Sequence, residues 1–229
     1  MKKQIISFIA ASLMLAAPCL NAGLANWISN HLPASKQVSQ EYRDEVKYMK
    51  RKAGIRTPVI FVNVDDPSLN AAVWNMNFWS YPPLFSIMAI NETAFKEATS
   101  LGLPAQNTQT LAHEIVHLNN NVCYFPHTNR AFKREEARAV KHSFAMLATL
   151  GYYKALEQQE KLYSTWGSLQ SLNDHPHGKK YPTCGEYISW AQQALNNCHG
   201  IDPNDRPDSE NLMRNGNIRL ELDPRNMKS

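Results

Sequence analysis

Residues 110–121 read TLAHEIVHLNNN, the stretch that most narrows the folds open to this chain. In an α-helix, residues four apart lie on one face, so His113 and His117 can aim ring nitrogens at a common point about 2 Å from each. Glu114 then sits one step round, beside that point. Leu111, Ile115 and Leu118 form an i, i+4, i+7 stripe, so the same helix has an apolar side to bury while its histidine side lines a cleft. Two neutral imidazoles as ligands, with a carboxylate that is not a ligand but accepts a proton from water, are what a zinc hydrolase requires. Two histidines do not complete a catalytic zinc site, which needs a third protein ligand and a fourth position left to water. The fold must therefore bring another element across this helix.

The segment KREEARAV, residues 133–140, offers Glu135 and Glu136 at the start of a further helix. Phe132, Glu136, Val140 and Leu147 fall roughly on one side of it, whereas Glu135 shares a face with Arg138 and His142. A carboxylate on a core-facing stripe is costly unless paired or bound to metal, which favours Glu136 as the ligand. Glu135, on the more exposed face, then contributes only a helix-start charge whose removal changes metal affinity little. The plainer alternative is that both acids decorate a solvated helix start, where the dipole favours them.

Around these two helices, residues 37–53 form a charged helix stopped by Gly54. TPVIFVNV (57–64), LNAAVW (69–74) and FSIMAI (85–90) read as strands, the last two separated by an aromatic loop with two adjacent prolines. Asn91 caps a helix running to about Leu101, and Thr108 or Thr110 caps the histidine helix. Helices follow over 129–150, 152–172 and 186–197, and the Pro-, Asn- and Asp-rich residues 200–229 read as an irregular tail. The expected fold is α+β, mostly helical, with a small antiparallel sheet next to the histidine helix.

The opening MKKQIISFIAASLMLAAPCLNAG has a basic start, a short apolar run and small residues near Ala22 and Ala25, the pattern of an export signal over residues 1–22. Pro18 before Cys19 fits lipidation poorly. The domain then spans 23–199, in the periplasm or outside the cell, with no stable membrane span once the signal is gone. Removing Lys2 and Lys3 takes the 24 basic residues to 22 against 20 acidic ones, and this weak balance without basic patches excludes a nucleic-acid partner. Of the remaining cysteines, Cys184 and Cys198 can close a short loop around a helix in an oxidising compartment, with Cys123 left over.

Taken together, VIFVNV, LNAAVW, SIMAINETAF, HEIVH and the following glutamate helix, over roughly residues 40–150, resemble the gluzincin metallopeptidases. Within them the match is to the CAAX-prenyl-protease-like family that includes heat-shock membrane proteases and soluble periplasmic members. The resemblance implies a zincin-like domain holding one Zn²⁺ on His113, His117 and Glu136, with Glu114 as catalytic base and a protein or peptide as substrate. It also implies that a strand at Asn70, Ala71 and Ala72, continuing to Val73, pairs with the substrate backbone. The family's aspartate four residues after the ligand glutamate is missing, because Val140 and Ala139 stand at that distance from Glu136 and Glu135. The oxyanion-stabilising side chain is to be sought among Tyr152, Tyr153, His142, His175 and His177. Two functions follow: a zinc endopeptidase cutting exported or extracellular proteins, or an inactive zinc-bearing binding or chaperone module. The missing aspartate leans toward the module, and the intact Glu114 toward the enzyme.

Overall fold

The computed structural model describes residues 22–76, 85–118, 129–175, 178 and 181–198. The segment 1–21, Cys123, His177 and the tail from 199 lie outside them. The described elements are α1 (Ala22–His31), a 3-10 turn (Ala34–Lys36), α2 (Gln40–Lys52), β1 (Val59–Asn63), β2 (Ala71–Met76), β3 (Phe85–Ile90), α3 (Glu92–Ser100), α4 (Pro104–Leu118), α5 (Asn129–Thr149), α6 (Tyr153–Leu169) and α7 (Cys184–Cys198). The fold is α+β and mostly helical, with one small sheet.

The sheet is mixed, not antiparallel, with strand order β1-β3-β2. β3 pairs antiparallel with β2 and parallel with β1, so it lies in the middle, and all six of its residues are buried. Both faces of the sheet are covered, which explains why FSIMAI and VIFV are unbroken apolar runs without strand alternation. Val59, Phe61, Ala71, Val73, Met88 and Ile90 face the main helical core, and Ile60, Val62, Phe85, Ile87 and Trp74 face the other way.

That second face is closed by α1, an element the sequence reading did not anticipate. Ala25 is fully buried there with Ile28 and Leu32 beside it, and Ser29 Oγ accepts from Phe61 N–H at 3.0 Å on the outer side of β1. Ala25, one of the two small residues near which the sequence suggested cleavage, is thus a core residue.

The helix carrying the histidines begins earlier than predicted. Pro104 supplies its first turn, where a missing N–H costs nothing, so Thr108 and Thr110 lie inside the helix and do not cap it. Thr108 Oγ1 instead donates to Glu45 of α2 at 3.1 Å. Asn91 does cap α3, its side chain accepting from Ala94 N–H at 3.1 Å, worth about 1 kcal/mol. α4 packs against β2, α2, α3, α5 and α6, with Leu111, Ile115 and Leu118 in the core. It is the hub of the domain, and its remaining side is where the chemistry-bearing residues gather.

Cys184 and Cys198 are the two ends of α7, a 15-residue helix. A rise of 1.5 Å per residue puts its ends about 20 Å apart, well beyond the ~7 Å between Cα atoms that a disulfide bridges. The pairing of these two is thereby ruled out; Cys184 is a buried free thiol.

Candidate metal centre

Three side chains from two helices converge between α4 and α5. His113 Nε2 and His117 Nε2 lie 3.1 Å apart, His113 Nε2 is 3.2 Å from Glu136 Oε2, and His117 Nε2 is 3.6 Å from Glu136 Oε1. Each residue offers one ligand atom, and all three lie within 4.8 Å of one another. Four-coordinate zinc with bonds of about 2.0–2.1 Å spaces its ligand atoms about 3.3 Å apart, so the cluster has the dimensions and the donor set for such an ion. A metal ion can be held here by His113, His117 and Glu136.

Glu136 is 7 % exposed, on the α5 side that also carries Val140 and Leu147 into the core. Burial acts to raise its carboxyl, but the hydrogen bond from His113 and the charges of His113 and His117 outweigh it and hold the group below the usual carboxylate range. Glu136 is therefore ionised and aimed at both histidines. Glu135, in contrast, is not the exposed helix-start charge expected of it. Its Oε1 lies 3.5 Å from His117 Nδ1, the ring nitrogen turned away from the cluster, and 3.2 Å from Arg138 Nη2. The step of about 100° between consecutive helical residues sets the two carboxylates on either side of the His117 ring.

Glu114 is 8 % exposed and is not one of the three ligands. Burial pushes its carboxyl up to about 7, with Glu136 adding to the rise, while His117 and the Val73 N–H, which donates to it, pull the other way. That last contact fixes the orientation of the neighbouring strand. Asn91 N–H donates to Asn70 O at 2.8 Å, so the backbone groups of Asn70, and by alternation those of Ala72 and Trp74, turn inward to β3. Those of Ala71, Val73 and Asn75 turn outward, toward α4. Of the three strand residues singled out from the sequence, only Ala71 presents its backbone to the outer edge of β2.

Asn75 ties this edge to the site. Its Nδ2 donates to His117 O at 2.8 Å, and its Oδ1 accepts from Ser86 Oγ at 2.6 Å. Its position in a strand next to LNAAV gave no sign of this role.

Tyr152, one of the residues proposed for the oxyanion, lies beside Glu45 and Tyr48 of α2, where burial raises its phenol. His142 is next to Arg138 and Lys141, and burial lowers it. His175 is buried in an aromatic cluster, its ring 5.1 Å from that of Tyr181 in a stacked arrangement and 5.3 Å from that of Tyr187. Tyr181 was missed. Its ring meets Phe132 edge-on at 5.9 Å, one helical turn before Glu136, and burial together with the charges of Glu136 and Glu114 raises its phenol. A tyrosine before a proline in a helix-entry loop carries no sequence signal of that placement.

No family model matches the chain, and no curated protein and no solved structure matches it.

Proposed function

We propose that the chain is a zinc-dependent endopeptidase of the gluzincin kind, with a zincin-like domain that acts on exported or extracellular proteins in the periplasm or outside the cell. The observation that carries this reading is a buried carboxylate, Glu114, held next to a His113–His117–Glu136 ligand set without being part of it. A site that served structure alone would have no use for a base there. Zinc bound to those three residues would supply Lewis acidity for a water molecule and for the scissile carbonyl. Glu114, poised near neutrality, takes a proton from the attacking water and returns it to the leaving amine. In this reading an extended peptide pairs along β2 with the outward backbone groups of Ala71 and the Val73 carbonyl, while the Val73 N–H, donating to Glu114, sets that line beside the base.

The test is metal analysis of the purified protein, followed by digestion of casein with and without a chelator. The expected result is about one zinc per chain and cleavage that the chelator abolishes and zinc restores. Absence of metal after gentle purification ends the zinc reading. Stoichiometric zinc with no cleavage moves the assignment to the binding or chaperone module.

Within this reading we assign Tyr181, whose phenol feels the charges of Glu136 and Glu114, as the donor to the developing oxyanion. Tyr181→Phe is expected to lower kcat about 10²-fold, the usual cost of one oxyanion donor, with KM and zinc content nearly unchanged. Steady-state kinetics beside metal analysis decides it: an unaltered kcat removes Tyr181 from the mechanism.

A further inference from the structure

We propose that Glu135 is the carboxylate that orients His117; the proposal rests on the zinc-site reading above. His117 has two ring nitrogens with different neighbours. Nε2 faces His113 and Glu136, whereas Nδ1 faces Glu135 at 3.5 Å. A neutral imidazole carries one N–H, and a carboxylate at Nδ1 keeps the proton there, leaving the Nε2 lone pair free for a metal. Positions 139 and 140, where the aspartate would fall, are Ala139 and Val140, both fully buried and neither able to polarise a histidine. Glu135, the residue just before the ligand glutamate, faces His117 on the ring nitrogen opposite the one that faces Glu136.

Arg138 completes the arrangement. Its Nη2 holds Glu135 Oε1 at 3.2 Å, and the Glu135 side chain is only 21 % exposed, against 44 % for Arg138. A pair of this i, i+3 kind contributes a few tenths of a kcal/mol to the helix on its own. That energy does not account for a half-buried carboxylate turned toward a histidine, but fixing the carboxylate's direction does. Glu135 is therefore a positioning residue, acting on the metal only through His117.

The experiment measures zinc affinity of the full chain by competition with a chelating indicator, in one buffer at one pH, because protons compete with zinc for the histidines. Glu135→Ala is expected to weaken zinc 10- to 100-fold, roughly the effect of removing such a supporting partner, with Glu135→Gln in between because its amide oxygen still accepts. In the zinc-loaded protein the His117 Nδ1–H should give a slowly exchanging downfield proton resonance, lost in Glu135→Ala, a signal that a merely helix-stabilising charge would not govern. Zinc affinity unchanged in Glu135→Ala, or a weaker affinity with that resonance untouched, overturns the proposal. A parent protein that binds no zinc overturns the zinc reading itself and the proposal with it, whereas a zinc-binding parent with an indifferent Glu135→Ala overturns the proposal alone.

Discussion

Glu114→Gln is expected to keep the fold and about one zinc per chain while losing roughly 10²- to 10⁴-fold in kcat, the range attached to a positioned general base. Glutamine has the same shape and retains an oxygen to accept the Val73 N–H, so the strand edge stays where it is. What it lacks is a site that can bind and release a proton. Burial raises the Glu114 carboxyl to about 7, close to the value that lets one group act as base in the first half of a hydrolysis and as acid in the second. The variant also removes a desolvated acid from the core, so no loss of stability is expected to mimic loss of catalysis. Kinetics on a quenched-fluorescence peptide, with zinc content measured on the same sample, separates the two roles. If Glu114→Gln loses its metal, Glu114 is a ligand and the division between base and ligands is wrong; if it cleaves at the parent rate, the proton moves through another group.

The sequence made the centre legible because its constraints are local. His113, Glu114 and His117 owe their relative placement to one turn of helix, and the stripe of Leu111, Ile115 and Leu118 dictates which side of that helix is buried. Glu136 was legible one step less directly, as a carboxylate interrupting the apolar side of α5. Contacts that depend on how elements cross were not legible. Glu135 was assigned to solvent because its helical neighbours are Arg138 and His142, and nothing in KREEARAV tells that the His117 ring is wedged between the two acids. The same holds for the mixed sheet: three short apolar runs do not say that β3 enters between β1 and β2, or that residues from Ala22 onward cover the back of all three. Period and propensity act along the chain, whereas strand order and the tie from Asn75 to the His117 carbonyl join residues 9 to 42 positions apart.

Glu136→Gln is the substitution expected to do most harm to the metal site. The carboxylate is ionised in the folded protein, held there by His113 and His117 against the cost of burial, and it faces both ring nitrogens at 3.2 and 3.6 Å. A neutral amide is a poorer ligand for zinc, and with it only two histidines remain. Affinity should fall by more than the roughly 100-fold that marks the loss of a supporting partner, and cleavage should vanish at any zinc concentration that the assay tolerates. The size of the loss is what distinguishes the two neighbours: Glu136→Gln must exceed Glu135→Gln by a wide margin under identical buffer and pH. Equal losses would mean that both acids act from outside the coordination sphere, and a larger loss at Glu135 would exchange their roles. If neither change weakens zinc, the third ligand is not on α5, and the resemblance to the gluzincins fails at its defining residue.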